Sequence, residues 1–128
     1  MDKVRVYIAG RLNADNACDY IKNVHRMVIW GEKVRRAGFS VYVPGIDLLV
    51  GLIMGDMVYT DYFENSQPWL LASHAMFLTP DWEVDNKTNG TGKEKETAKA
   101  NDIPVFDNLE YMKKYFFGET IKTNGDMD

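Results

Sequence analysis

The apolar positions of this chain fall into two rhythms that alternate along its length. Residues 4–9 form a short run rich in β-branched and aromatic side chains that stops at Gly10, which predicts a buried strand entering a tight turn. Over residues 16–37 the spacing changes: Tyr20, Ile21, Val24, Met27, Val28, Trp30, Val34 and Ala37 recur mostly three and four apart, the stripe of an amphipathic helix with Gly38 as its stop signal. Residues 39–44 alternate and end in Pro44, so the opening reads as a βαβ unit and the class as α/β. Residues 45–60 are apolar but broken by Gly51 and Gly55, and a short helix or a loop packed over a pocket fits them equally well. A helix covers at least 68–73 within the stretch 61–73, with Pro68 in its first turn or at a kink. Residues 75–79 predict strand three. A polar, turn-rich loop over 80–92, containing Asn89-Gly90, feeds a helix over 93–100. Residues 103–106 read as a fourth strand and 109–117 as a last helix, so that 1–117 make one domain followed by a polar, mobile tail over 118–128.

Composition narrows the functional classes. With 128 residues, 45% of them hydrophobic and 27% charged, the chain is an ordinary globular domain rather than a disordered segment. Fifteen Lys and Arg against nineteen Asp and Glu leave a net charge of -4, and the basic residues are scattered, so no footprint for duplex nucleic acid is expected. Cys18 is the single cysteine, which excludes an intramolecular disulfide, and only His25 and His74 stand beside it as soft ligands, so no zinc site is expected. No apolar run approaches the roughly 20 residues of a membrane span, and no signal peptide is recognisable; the expected location is the cytoplasm, with no membrane partner.

A parallel sheet with crossover helices binds its ligand beyond the carboxyl ends of the strands, which directs attention to the loops after Gly10, after Pro44 and after residue 80. Thr88, Gly90, Thr91 and Glu94 combine backbone N–H groups at a helix start with a carboxylate one turn in, a place for an anion and a reactive carboxylate. Thr91-Gly92-Lys93-Glu94 also has the form of a capping box, in which Thr91 caps the helix and Glu94 reaches back. Gly10-Arg11 offers donors to an anion or is a plain strand-ending turn. Tyr7 reaches a pocket or is core with a satisfied hydroxyl, and Trp82 stacks on a base or covers core. Among the acids, Asp61 and Asp81 are candidates for proton transfer, although the ordinary fate of a carboxylate is the solvated surface. His74 reads as structural.

Taken in order, Val6-Tyr7-Ile8-Ala9-Gly10, Ala37-Gly38-Phe39-Ser40-Val41-Tyr42-Val43-Pro44, Trp69-Leu70-Leu71-Ala72-Ser73-His74-Ala75-Met76-Phe77-Leu78, Asp81-Trp82-Glu83, Thr88-Asn89-Gly90-Thr91-Gly92-Lys93-Glu94 and Ile103-Pro104-Val105 resemble the nucleoside 2-deoxyribosyltransferase-like family and its relatives, the N-glycosidases of nucleoside 5′-monophosphates. The resemblance implies a Rossmann- or flavodoxin-like three-layer sandwich, with a parallel sheet of four to five strands flanked by helices. It implies Glu94 as the nucleophile at the anomeric carbon, Tyr7 as the residue that orients it, and Gly10, Arg11, Ser66, Trp82, Thr88, Gly90 and Thr91 as substrate contacts, without a metal or organic cofactor. Thr88 stands where nucleoside transferases carry aspartate and phosphate-binding relatives carry serine, which leans towards a 5′-monophosphate. Two departures stand out: the family's acid before the helix leading to strand three falls near Ser66, and its aspartate before that strand is His74. Asp61 or Asp81 then remains to protonate the base. Relatives are oligomeric, so a homo-oligomer binding a small nucleoside or nucleotide is implied. Two other readings remain: a nucleotide-binding or sensor module of the same fold with weakened catalysis, and an unrelated α/β protein in which residues 91–94 are only a cap.

Overall fold

The structure is a computed structural model that describes residues 2–12, 14–80, 82 and 90–118. Four parallel strands, β1 (Arg5–Ala9), β2 (Ser40–Tyr42), β3 (Ala75–Leu78) and β4 (Val105–Phe106), form one sheet in the order β2-β1-β3-β4. Five α-helices accompany them among the described residues: α1 (Ala17–Arg36), α2 (Asp47–Met54), α3 (Tyr59–Leu71), α4 (Gly90–Ala100) and α5 (Leu109–Phe117). The protein is thus a small α/β sandwich of the flavodoxin-like kind, with helices on both faces of a parallel sheet.

Alternation along the strands sorts the core into two layers. Val6 and Ile8 face α1 and α5, where they pack with Met27, Val34, Phe39, Phe77, Phe106 and Met112. Tyr7 and Ala9 face the other way, with Met76 and Leu78, against Leu70 of α3, Ala98 of α4 and Ile103. Burying each of the larger side chains contributes about 1.5–3 kcal/mol, so these two layers hold the sheet between its helices. The chain leaves β1 for β2 on one side and returns to β3 on the other, which opens a crevice above the carboxyl ends of β1 and β3.

The local signals explain most boundaries. Asn16 caps α1 by accepting the Asp19 N–H at 2.9 Å, and Gly38 ends it with φ +113°. The undecided stretch after β2 is a 3₁₀ turn, Pro44–Ile46, followed by α2. Gly51 does not break α2: a Cβ there would overlap the Tyr62 hydroxyl, so the glycine admits α3 at close range, while Gly55 with φ +80° closes the helix.

Three expectations need correction. Helix α3 begins at Tyr59 and ends at Leu71 rather than running to 73, so Pro68 sits near its end and not in its first turn. Helix α4 begins at Gly90, three residues before the expected 93, because the Gly90 and Thr91 backbone already follows the helix. Strand β4 is confined to Val105–Phe106. The expected tail beyond 118 and most of the loop over 80–92 lie outside the described residues. Among the described residues no helix is long and apolar enough to cross a membrane.

Candidate functional site

The crevice at the switch between β1 and β3 holds a cavity of about 120 Å³. Its polar side chains come from four helices: Tyr20 from α1, Asp47 from α2, Tyr62 and Ser66 from α3, and Thr91 and Glu94 from the first turns of α4. Leu12, Met27, Leu48 and Phe63 supply apolar wall, and Gly10 its floor at the end of β1. Residues 91, 94 and 98 share one face of α4, so the helix that buries Ala98 against the sheet necessarily brings Glu94 over Tyr7.

Thr91 and Glu94 do not form the capping box their spacing suggested. Thr91 lies inside the helix and donates its hydroxyl proton to the Gly10 carbonyl at 2.8 Å, whereas the Glu94 carboxylate accepts a hydrogen bond from the Tyr7 hydroxyl. With the helix starting at Gly90, Thr91 is no longer at the cap position, and both side chains turn towards β1. The close approach also accounts for Gly10: a Cβ there would overlap Thr79 Oγ1 at the end of β3.

Burial sets the electrostatics. Glu94 as a residue keeps some exposure, but its carboxyl group is enclosed, and the loss of hydration pushes its pKa from 4.5 up to about 7. The hydrogen bond from Tyr7 favours the ionised form and opposes that rise. Tyr7 is fully buried, and desolvation together with the Glu94 charge raises its phenol far above the ordinary value, so it acts as a hydrogen-bond donor throughout the working pH range. A hydrogen bond from Ser66 to the phenol pulls in the opposite direction. A carboxylate poised near neutrality and held by a permanent donor at a cavity wall is equipped to act as a nucleophile or a base.

Tyr7, Gly10, Ser66, Gly90, Thr91 and Glu94 therefore come together. Arg11 does not line this cavity; it points into a neighbouring pocket of about 350 Å³ with Lys22 and Arg26, where Asp15 and Asp19 also sit. Its Nε is enclosed without a hydrogen-bond partner among the described residues. Trp82 also stays out of the cavity, packed on the Tyr7 layer of the core with the Lys95 ammonium 4.6 Å from its ring centroid. Asp61 does not line the cavity: its carboxylate is exposed and accepts the Val58 N–H at 2.9 Å, at the start of α3. Asp81 and Thr88 lie outside the described residues. His74 ties the opposite end of the sheet, accepting the Arg5 N–H on Nδ1 at 2.8 Å.

Asp47 is the site carboxylate that the reading of individual residues passed over. Its position in the loop after Pro44 was the available signal, since that loop leaves the carboxyl end of a parallel strand. Among the described residues no group of three or more His, Cys, Asp and Glu side chains is arranged to hold a metal ion. Models of protein families give no match to this chain, and neither do curated proteins.

Proposed function

We propose that this protein is a relative of the nucleoside 2-deoxyribosyltransferase-like family and cleaves the N-glycosidic bond of a nucleoside or nucleoside 5′-monophosphate, with Glu94 as the nucleophile. The observation that carries this reading is the Tyr7–Glu94 hydrogen bond at the wall of the switch-point cavity. Attack of the carboxylate on the anomeric carbon gives a glycosyl ester, and water or a second base then takes the sugar, dividing one difficult displacement into two easier ones. Tyr7 is a positioning residue: its hydroxyl fixes the carboxylate and supports its ionised form. Because burial raises the Glu94 pKa to about 7, the reactive carboxylate accumulates as pH rises through neutrality.

The pocket holding Arg11, Lys22 and Arg26 adjoins the cavity through Leu12, which follows Arg11 directly, and supports a 5′-phosphate on the substrate. Asp15 and Asp19 leave that pocket with a formal charge of +1. Leu49, Leu52, Ile53 and Met54 of α2 stand exposed, Ile53 by 80%, which supports the homo-oligomer of the family; light scattering on a sizing column measures it. Ser66 in place of the family's acid favours a second reading, a nucleotide-binding or sensor module with little turnover.

Chromatography of free base released from ribo- and deoxynucleosides and their 5′-monophosphates tests the proposal. Release by the wild type that falls about a thousandfold or more in Glu94→Gln is expected. Undiminished release by the variant refutes the nucleophile, and thermal stabilisation by a nucleotide without any release selects the binding module.

A further inference from the structure

We propose that Asp47 is the acid that protonates the departing base, an inference that rests on the glycosidase reading above. Tyr7 and Tyr42 are paired residues of parallel neighbours, so their side chains leave the same face of the sheet, with ring centroids 5.7 Å apart. Each phenol then ends at a different carboxylate: Tyr7 donates to Glu94, and Tyr42 donates to Asp47 Oδ2 at 3.5 Å. The two tyrosines thus act as parallel struts that set two carboxylates on one cavity, a pairing that glycosidic cleavage commonly uses. The Tyr42 phenol, which sits between them, is raised by burial first and then by the charges of both Asp47 and Glu94.

The hydrogen-bond pattern distinguishes the two oxygens of Asp47. Asn65 Nδ2 donates to the same Oδ2 at 3.4 Å, so both donors hold one oxygen. Because both donors converge on Oδ2, Oδ1 is the oxygen assigned to face the departing base. Among the described residues the other candidates fit less well: Asp61 is engaged at the α3 cap, and Ser66 has a hydroxyl too weakly acidic to serve. Asp47 and Glu94 are the two carboxylates that line the cavity among the described residues.

In the first step Glu94 attacks C1′, the C1′–N bond breaks with its electron pair moving to the base, and the Asp47 proton passes to a ring nitrogen, giving the neutral free base and an Asp47 carboxylate. In the second, water attacks C1′, its proton passes to Asp47, and the ester bond to Glu94 breaks. Both carboxyl groups return to their starting forms.

The test compares Asp47→Asn with wild type on the ordinary nucleotide cleaved best and on a 7-methylguanine counterpart, whose positively charged base leaves without a proton. Loss of the acid is expected to lower kcat on the ordinary substrate by about 10²–10⁴-fold and to leave 7-methylguanine release within a few-fold of wild type. Asp47→Glu, which keeps a carboxyl group, is expected to retain more of the ordinary activity than Asp47→Asn. Equal losses on both substrates, or no loss on either, overturn the assignment to Asp47 while leaving Glu94 in place. A wild type that releases no base from any substrate overturns the glycosidase reading, and this role with it.

Discussion

The two faces of the sheet are built from the same strands yet serve opposite ends. Towards α1 and α5, Val6, Ile8, Phe77 and Phe106 pack with apolar partners such as Met27, Val34 and Met112. One residue over, Tyr7 and Ala9 face α3 and α4, and there the buried polar side chains Ser66 and Thr91 accompany the core. Thr79 and Asn23, the remaining buried polar residues among those described, also hold the end of β1: Thr79 lies against Gly10, and Asn23 donates to the Leu12 carbonyl at 3.1 Å. All four therefore gather on β1 and the loop that follows it. Such groups stabilise less than the apolar packing they displace, and their concentration at one strand end marks where the fold gives up stability to position a carboxylate.

Substitutions on the two faces are expected to separate stability from activity. The largest effect on stability belongs to the apolar face: Phe77→Ala removes a fully buried ring and is expected to cost about 3–5 kcal/mol in urea unfolding, with ligand affinity unchanged under conditions where the variant is folded. The same substitution affecting affinity more than stability would erase the distinction between the faces.

Next comes Glu94, whose carboxyl pKa is raised from 4.5 to about 7 in the folded protein. The folded state then binds more protons than the unfolded chain between these values, so this contribution to stability is complete below 4.5 and is lost as pH rises through 7. The loss amounts to about 3 kcal/mol, and it should disappear in Glu94→Gln, which unfolds with a flatter pH dependence. Urea midpoints of both proteins at pH 5 and pH 8 measure it; parallel midpoints would show that the carboxyl group is solvated.

The smallest effect is expected for Thr91→Val, which preserves shape and leaves the Gly10 carbonyl without its donor. A loss of about 1–3 kcal/mol, with a fall in nucleotide affinity, follows from the unpaired acceptor at the cavity floor. Unchanged affinity would make the hydrogen bond a purely structural tie.

The elements of this fold were legible where a local rule acts alone. The stripe over α1 and the stop at Gly38 depend on neighbours within one turn, and both appear as read. Of the two places open to Pro68, the first turn is excluded because α3 already runs from Tyr59, packed against α4 and the sheet. The Thr91–Glu94 spacing suits a cap and a site equally well. What separates them is the residue that the side chains meet, 81 and 87 positions away in the chain.

Sequence by itself determined the α/β class, the order of the elements and the strand ends where a ligand belongs, because hydrophobic period, turn residues and strand–helix alternation are short-range properties. It also brought Glu94 and Tyr7 forward as a pair through family resemblance. Tertiary structure alone decided that Arg11 faces a separate pocket and that Asp47 shares the cavity with Glu94. These outcomes depend on strand order and register, which place Tyr42 beside Tyr7 across 35 residues of chain, and such long-range pairing leaves no mark in the spacing of the residues it joins.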